Sequence, residues 1–304
     1  MGGNLVYPAV VPALLAYPST VIWAYSVFAA VFAVGLAAIF LRGEWKDARG
    51  LDKLILFGPL FYAAPVAAFG TEHFTLTDVI ASIVPSWMPW HMFWAYFVGA
   101  CFVAAGFSLA AKIQARLAAS LLGLTFFLFV VLMDLPAWAR NPGSRFAMAL
   151  ALRELSFSGG ALALAASLAG EPRKRGAQVL AALARYFIAI PALVYSFEQF
   201  LHADYVPAIP LKRLTPEYIF GHSIWTYVAA VAYVPTGILL AAGKKTRAAA
   251  SWLGVTVLFI ELAVYVPIAV VDRTSLGNGF NFIADTLMYC GAVFLLAGAM
   301  PREA

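Results

Sequence analysis

The sequence predicts an all-α, polytopic membrane protein of about nine transmembrane helices, built as two parallel four-helix-bundle repeats behind one N-terminal helix. Three observations carry that prediction. First, the 304-residue chain is 63% hydrophobic and only 12% charged, with mean hydropathy +0.86, where a soluble domain carries about 25% charged residues. Second, its apolar stretches are continuous and each close to the roughly 20 residues that cross a bilayer as a helix. A barrel strand would alternate apolar and polar residues instead. Third, the sequence repeats itself at a fixed offset.

Taken in order, residues 5–18 are apolar but broken by Pro8, Pro12 and Pro18, a pattern suited to the membrane interface. Met1 to Asn4 supply no basic region of a signal peptide, so the first helix is expected to be retained. Spans are expected near 20–41, 53–72, 90–111, 117–135, 149–169, 184–202, 222–242, 248–271 and 281–300. Every backbone polar group in such a span must be satisfied within the helix.

The repeat aligns Trp94 with Trp225 and Tyr96 with Tyr227, an offset of 131. It runs on through Gly106/Gly237, Arg116/Arg247, Gly123/Gly254 and Pro136/Pro267 to Glu154/Asp285 and Gly160/Gly291. The chain therefore divides into residues 1–50 (one helix and a basic loop), 51–170 (first unit) and 183–300 (second unit). Four spans per unit give both units one orientation, so the axis relating them should run along the membrane normal.

Charge sets the expected sidedness. Fourteen of the twenty Lys and Arg fall in alternate loops, from Arg42, Lys46, Arg49 and Lys53 to Arg302, against six on the other side, including Arg140, Arg145 and Arg153. The positive-inside rule then places the C-terminus in the cytoplasm and the N-terminus outside, in a plasma or inner membrane. The net charge of +5 is thus topological. No basic–aromatic pattern for nucleic acid, P-loop or nucleophile elbow occurs. Cys101 and Cys290 each sit in an apolar span without a CxxC, which argues against thiol–disulfide chemistry.

All four histidines fall at outer span ends as two repeat-related pairs: His91 with His222, and His73 with His202. They are either amphipathic edge residues copied by duplication, or ligands and proton carriers. As ligands, His73, His91, His202 and His222 would hold a transition metal or haem. Glu198 and His202, four residues apart, share a helix face, and Glu261 sits mid-span where its repeat mate is Val130. Buried carboxyls inside a membrane usually face a cavity or a partner, so Glu198, His202 and Glu261 are the candidate catalytic set, and the second unit, with acids the first lacks, is the expected home of function. Glu154 and Asp285 are expected to open their spans and complement the helix dipole. Asp134 is expected at the interface. His222, Trp225, Tyr227, Trp90 and Trp94 form a candidate wall for a flat ring such as a quinone, although an aromatic belt explains much of the same pattern.

Each unit resembles the DoxX/DoxD-like family of four-helix membrane proteins. The resemblance rests on Gly70-Thr71-Glu72-His73-Phe74, on Val84-Pro85-Ser86-Trp87-Met88-Pro89-Trp90, on Phe93-Trp94-Ala95-Tyr96-Phe97-Val98-Gly99, and on the basic turn from Lys112 to Arg116. The second unit keeps the His202, Trp225–Tyr227, Gly237 and Arg247 parts, with a Pro207/Pro210 loop in place of the Trp-Pro one. The chain departs from the family in being a fused double unit with an extra span. The resemblance implies a membrane subunit similar to that of thiosulfate:quinone oxidoreductase, seated in the lipid bilayer and working with an extracytoplasmic redox protein. It carries no catalytic motif over to this chain. The expected function is therefore quinone handling in a redox complex; a metal or haem protein, a transporter and a plain anchor stay open beside it.

Overall fold

A computed structural model describes residues 18–170, 175–209 and 213–302. The expectations for residues 5–17, for Arg173 and Lys174, and for Pro210 and Lys212 lie outside the described residues. Among the described residues the protein is helical throughout its spans, with one isolated β-bridge, Tyr205 to Leu214. Nine helices are long and apolar enough to cross a membrane: α1 (Ser19–Leu41), α2 (Asp52–Thr75), α3 (His91–Ala111), α4 (Ala115–Arg140), α5 (Arg145–Ser167), α6 (Arg175–Leu201), α7 (Ile224–Ala242), α8 (Thr246–Val271) and α9 (Leu276–Ala299). The chain is an all-α integral membrane protein. One end of the bundle gathers most of the basic residues and the other carries the histidines: the basic end and the histidine end.

The 131-residue offset persists in the elements. Ala115–Phe129 answers to Thr246–Ile260, and the π-turn Val130–Asp134 to the π-turn Glu261–Tyr265. These two π-turns share one feature, a proline at the same place. Pro136 and Pro267 have no N–H to give to the carbonyl four residues back, so the preceding turn widens. Leu135 N–H then reaches Val130 O, and Val266 N–H reaches Glu261 O. The α3–α4 turn takes left-handed backbone at Lys112 (φ 59°) and Gln114 (φ 52°), and the α7–α8 turn at Gly243 (φ 70°) and Lys245 (φ 45°). These are again positions 131 apart.

Packing interlocks the two units. The first helix of each lies against the last helix of the other, α2 on α9 and α6 on α5, and the two last helices α5 and α9 meet each other. Small residues permit it, because close approach of backbones is what drives helix pairing in lipid. A Cβ on Gly291 would lie 2.5 Å from Tyr62 N, and one on Gly160 2.4 Å from Ala292 Cα. α9 is consequently the central helix: 83% of its most apolar stretch is buried, against 22% for α1, which packs on α2 and α3 at the periphery. At the basic end Arg247 binds Asp52 (2.6 Å) and the carbonyl of Ala297 (2.9 Å), clamping the end of α9 to the start of α2.

Candidate functional site

Two of the histidines, His73 and His222, serve the local backbone. His73 Nδ1 lies 2.9 Å from Phe69 O in its own helix, and its ring meets Phe102 edge-on. Both nitrogens of His222 are engaged, Nε2 with Thr215 O (2.8 Å) and Nδ1 with Ser223 Oγ (3.1 Å). His202 packs against Tyr205, and His91 is the first residue of α3. Among the described residues no three His, Cys, Asp or Glu stand where they could share a metal ion.

Trp94 and Trp225 play matching parts. Each indole N–H donates to the carbonyl five residues back, Pro89 O at 3.0 Å and Phe220 O at 2.7 Å, and so ties down the loop before its helix. Trp90 is exposed with left-handed backbone (φ 58°), and Tyr227 meets Phe200 on the outer surface. Glu198 is held by Arg145 Nε at 2.7 Å, an ion pair that joins α5 to α6 close to the histidine end, with the Arg145 guanidinium over Tyr205.

The structure corrects two expectations about the acids. α5 begins at Arg145 and α9 at Leu276, four and five residues earlier than their apolar runs suggest. Glu154 and Asp285 are therefore each the tenth residue of their span, about 13 Å along the helix, and complement no helix N-terminus. Arg153 moves inward with them and is not a loop charge. The second correction concerns Asp134. It is not an interfacial residue at a helix end: it belongs to the α4 π-turn, its Oδ2 is buried, and it interacts electrostatically with Glu154 and Arg153. In the second unit Glu261 occupies the matching π-turn and interacts with Asp285. Each unit thus pairs an acid on the π-turn of its third helix with an acid on its fourth. The acids are not peculiar to the second unit; they stand four residues apart on equivalent turns.

These groups form one polar core around the α5–α9 contact. Arg153 Nη1 binds Asp285 Oδ2 at 2.8 Å and Nη2 binds Glu154 Oε1 at 2.7 Å. Asn281 Nδ2 donates to Glu72 Oε2 across to α2 at 3.3 Å. One guanidinium thus links the two repeat-related carboxylates. Charge-assisted contacts of this kind are the strong ones, and burial makes each partner depend on the other.

A cavity of about 510 Å³ leads to this core from the histidine end. Phe146, Leu150 and Phe282 wall it, Arg213 and Asn278 stand at its rim, and Arg153, Asn281 and Asp285 form its floor. Arg213 is itself fixed by Asp272 at 2.7 Å and lies over the Phe282 ring. Arg153 Nε and Asn281 Oδ1 are buried without a hydrogen-bond partner. The floor therefore presents the Arg153–Asp285 ion pair and the Asn281 amide to the cavity, enough to orient a small polar ring or chain. Of the sequence-derived candidates, Glu261 lies within electrostatic reach of this floor through Asp285. Glu198, His202, His222, Trp225, Tyr227, Trp90 and Trp94 do not line the cavity. The signal for these residues was present, since Glu154 and Asp285 are themselves a matched repeat pair and Arg153 adjoins one of them; span starts placed too late moved them to the surface.

No family model, curated protein or solved structure matches this chain.

Proposed function

We propose that the protein is the membrane subunit of a redox complex, of the DoxX/DoxD-like kind, and that it handles a quinone in the α5–α9 cavity. The observation that carries this reading is that the cavity ends, within the spanning part of the fold, on Arg153 and Asp285. The residues present fit such a ring. Its carbonyl oxygen would accept from the Arg153 guanidinium, and Phe146, Leu150 and Phe282 would hold its faces and exclude water. A bound quinone supplies two-electron, two-proton chemistry. The protein's part is to orient the ring and to pass a proton at the Asp285 carboxylate, a task suited to a positioned acid–base group. The electrons would come from an extracytoplasmic protein docked at the histidine end, where the cavity opens.

The test is binding of a short-chain quinone analogue to the purified protein in lipid nanodiscs, followed by calorimetry. Asp285→Asn and Arg153→Lys should weaken binding by about 10- to 100-fold, the worth of a charge-assisted hydrogen bond. Wild-type protein that binds no analogue, or variants that bind it as the wild type does, would overturn the reading.

A further inference from the structure

The interior of the second unit holds polar atoms that neither the fold nor the quinone reading uses. Glu261 is 2% exposed, and both its carboxyl oxygens lack a hydrogen-bond partner. The hydroxyls of Tyr233 on α7 and Tyr289 on α9, both fully buried, also lack one. Their rings lie 6.3 Å apart between centroids. Glu261 interacts electrostatically with Cys290, next in the chain to Tyr289, and with Tyr265; Tyr233 interacts with Tyr289, Cys290 and Tyr265. Counted along their helices from the histidine end, Tyr233, Glu261 and Tyr289 lie about 14 to 20 Å deep. Three helices therefore carry four orphan oxygens at neighbouring depths in one unit.

Leaving each such atom unsatisfied costs about 1–3 kcal/mol, and an ionised carboxylate there would cost far more. Internal water and a carboxylic proton would satisfy the set together, since a buried water makes about three hydrogen bonds. The layer is shut from the histidine end by the loop after α6. Tyr265 Oη donates to Pro207 O at 2.5 Å, and Ala208 N–H to Gln199 Oε1 at 2.9 Å. Val206, Ala208 and Ile209 on that loop are fully buried. The groups within electrostatic reach of Glu261 are the Tyr265 phenol on α8, the Cys290 thiol on α9 and, on the cavity side, Asp285, itself paired to Arg153 of α5.

We propose that the second unit encloses a hydrated proton-binding chamber centred on Glu261, with Tyr233 and Tyr289 as its hydroxyl lining, and that it exchanges its proton with Asp285 at the cavity floor. The proton leaves the Glu261 carboxylic acid for the Asp285 carboxylate through water, and the reverse step restores both. The chamber is a store of one proton beside the open cavity, and it stands whether or not a quinone is what the cavity binds.

Infrared spectroscopy of the whole protein in lipid bilayers tests it. Wild-type protein should show a carboxylic-acid C=O band that persists in alkaline buffer and is absent from Glu261→Gln. Tyr289→Phe should shift that band, because it loses a hydrogen-bonding neighbour. After transfer to D2O the band should exchange about a hundredfold more slowly in Asp285→Asn, the lower end of what a positioned acid–base group contributes. Glu261→Val, which installs the residue of the first unit, serves if the Gln variant does not fold. No band that depends on Glu261, or exchange unchanged in Asp285→Asn, would overturn the proposal.

Discussion

Arg153 governs the interior at the scale of single residues. It satisfies Asp285 and Glu154 at once, so its loss strands two carboxylates in a low-dielectric core. Arg153→Met should lower stability by about 3–5 kcal/mol, the usual consequence of breaking a buried pair on one side. Adding Asp285→Asn to that variant should recover part of the loss. Thermal unfolding in detergent reads both, and a single variant that melts with the wild type would show the pair to be energetically idle. Gly243 is a second case. Its left-handed backbone (φ 70°) strains any residue with a Cβ, while the Arg185 guanidinium beside it ends a flexible chain that can give way. Gly243→Ala should cost about 1–2 kcal/mol from backbone strain alone. The repeat mate of Gly243 is Lys112, which tolerates the same conformation (φ 59°) while pairing with Glu44. Adjacent residue identities announced these acids and bases, but not their pairing, because a carboxyl's partner on another helix is invisible to a linear reading.

At the scale of elements, the π-turns decide where the acids point. Pro136 and Pro267 are legible in the sequence, as is their equivalence. Their consequence, a widened turn over Val130–Asp134 and Glu261–Tyr265, depends on how each helix re-forms its hydrogen bonds once the N–H is missing. Pro267→Ala returns that N–H, lets α8 continue with regular i→i−4 bonding, and turns Glu261 away from Asp285. The expected outcome is a shifted Glu261 carboxyl band in infrared spectra, with amide exchange slowed across residues 261–267. An unchanged band would mean that the turn is held by packing and not by the proline. Span existence was legible from continuous apolar runs. Span starts were not: α5 and α9 begin with Arg145 and with Gly277 and Asn278 in their first turns, residues that read as loop until tertiary contacts engage them. Arg145 is drawn in by Glu198, and Asn278 by Arg213.

At the scale of the molecule, the units are joined through their last helices, so the interface between repeats is also the wall of the cavity. Gly291 is a tight point of the α2–α9 contact, with Tyr62 N 2.5 Å from where a Cβ would stand. Gly291→Ala must push backbone apart and should cost about 1–3 kcal/mol, as overpacking does; chemical denaturation in mixed micelles measures it. Sidedness is a further prediction of the charge distribution. A membrane-impermeant thiol label should reach a cysteine placed at Trp87, at the histidine end, from the outer face of sealed cells, and one placed at Lys245 only after permeabilisation. The opposite pattern would reverse the orientation assigned by the positive-inside rule.

The sequence by itself determined that this is a nine-span α-helical membrane protein, that one four-helix pattern occurs twice, and that histidines and basic residues gather at opposite ends. Those properties are written in hydropathy, in spacing and in loop charge, all of which act locally along the chain. Only the tertiary structure decided that Arg153, Glu154 and Asp285 form the centre, that Asp134 and Glu261 are counterparts on equivalent π-turns, and that His222, Trp94 and Trp225 are bound up in their own loops. The reason is physical. A polar group in a membrane is stable only beside its partner, and which groups become partners is set by the helix–helix approach that Gly160 and Gly291 allow, a contact between residues far apart in the chain.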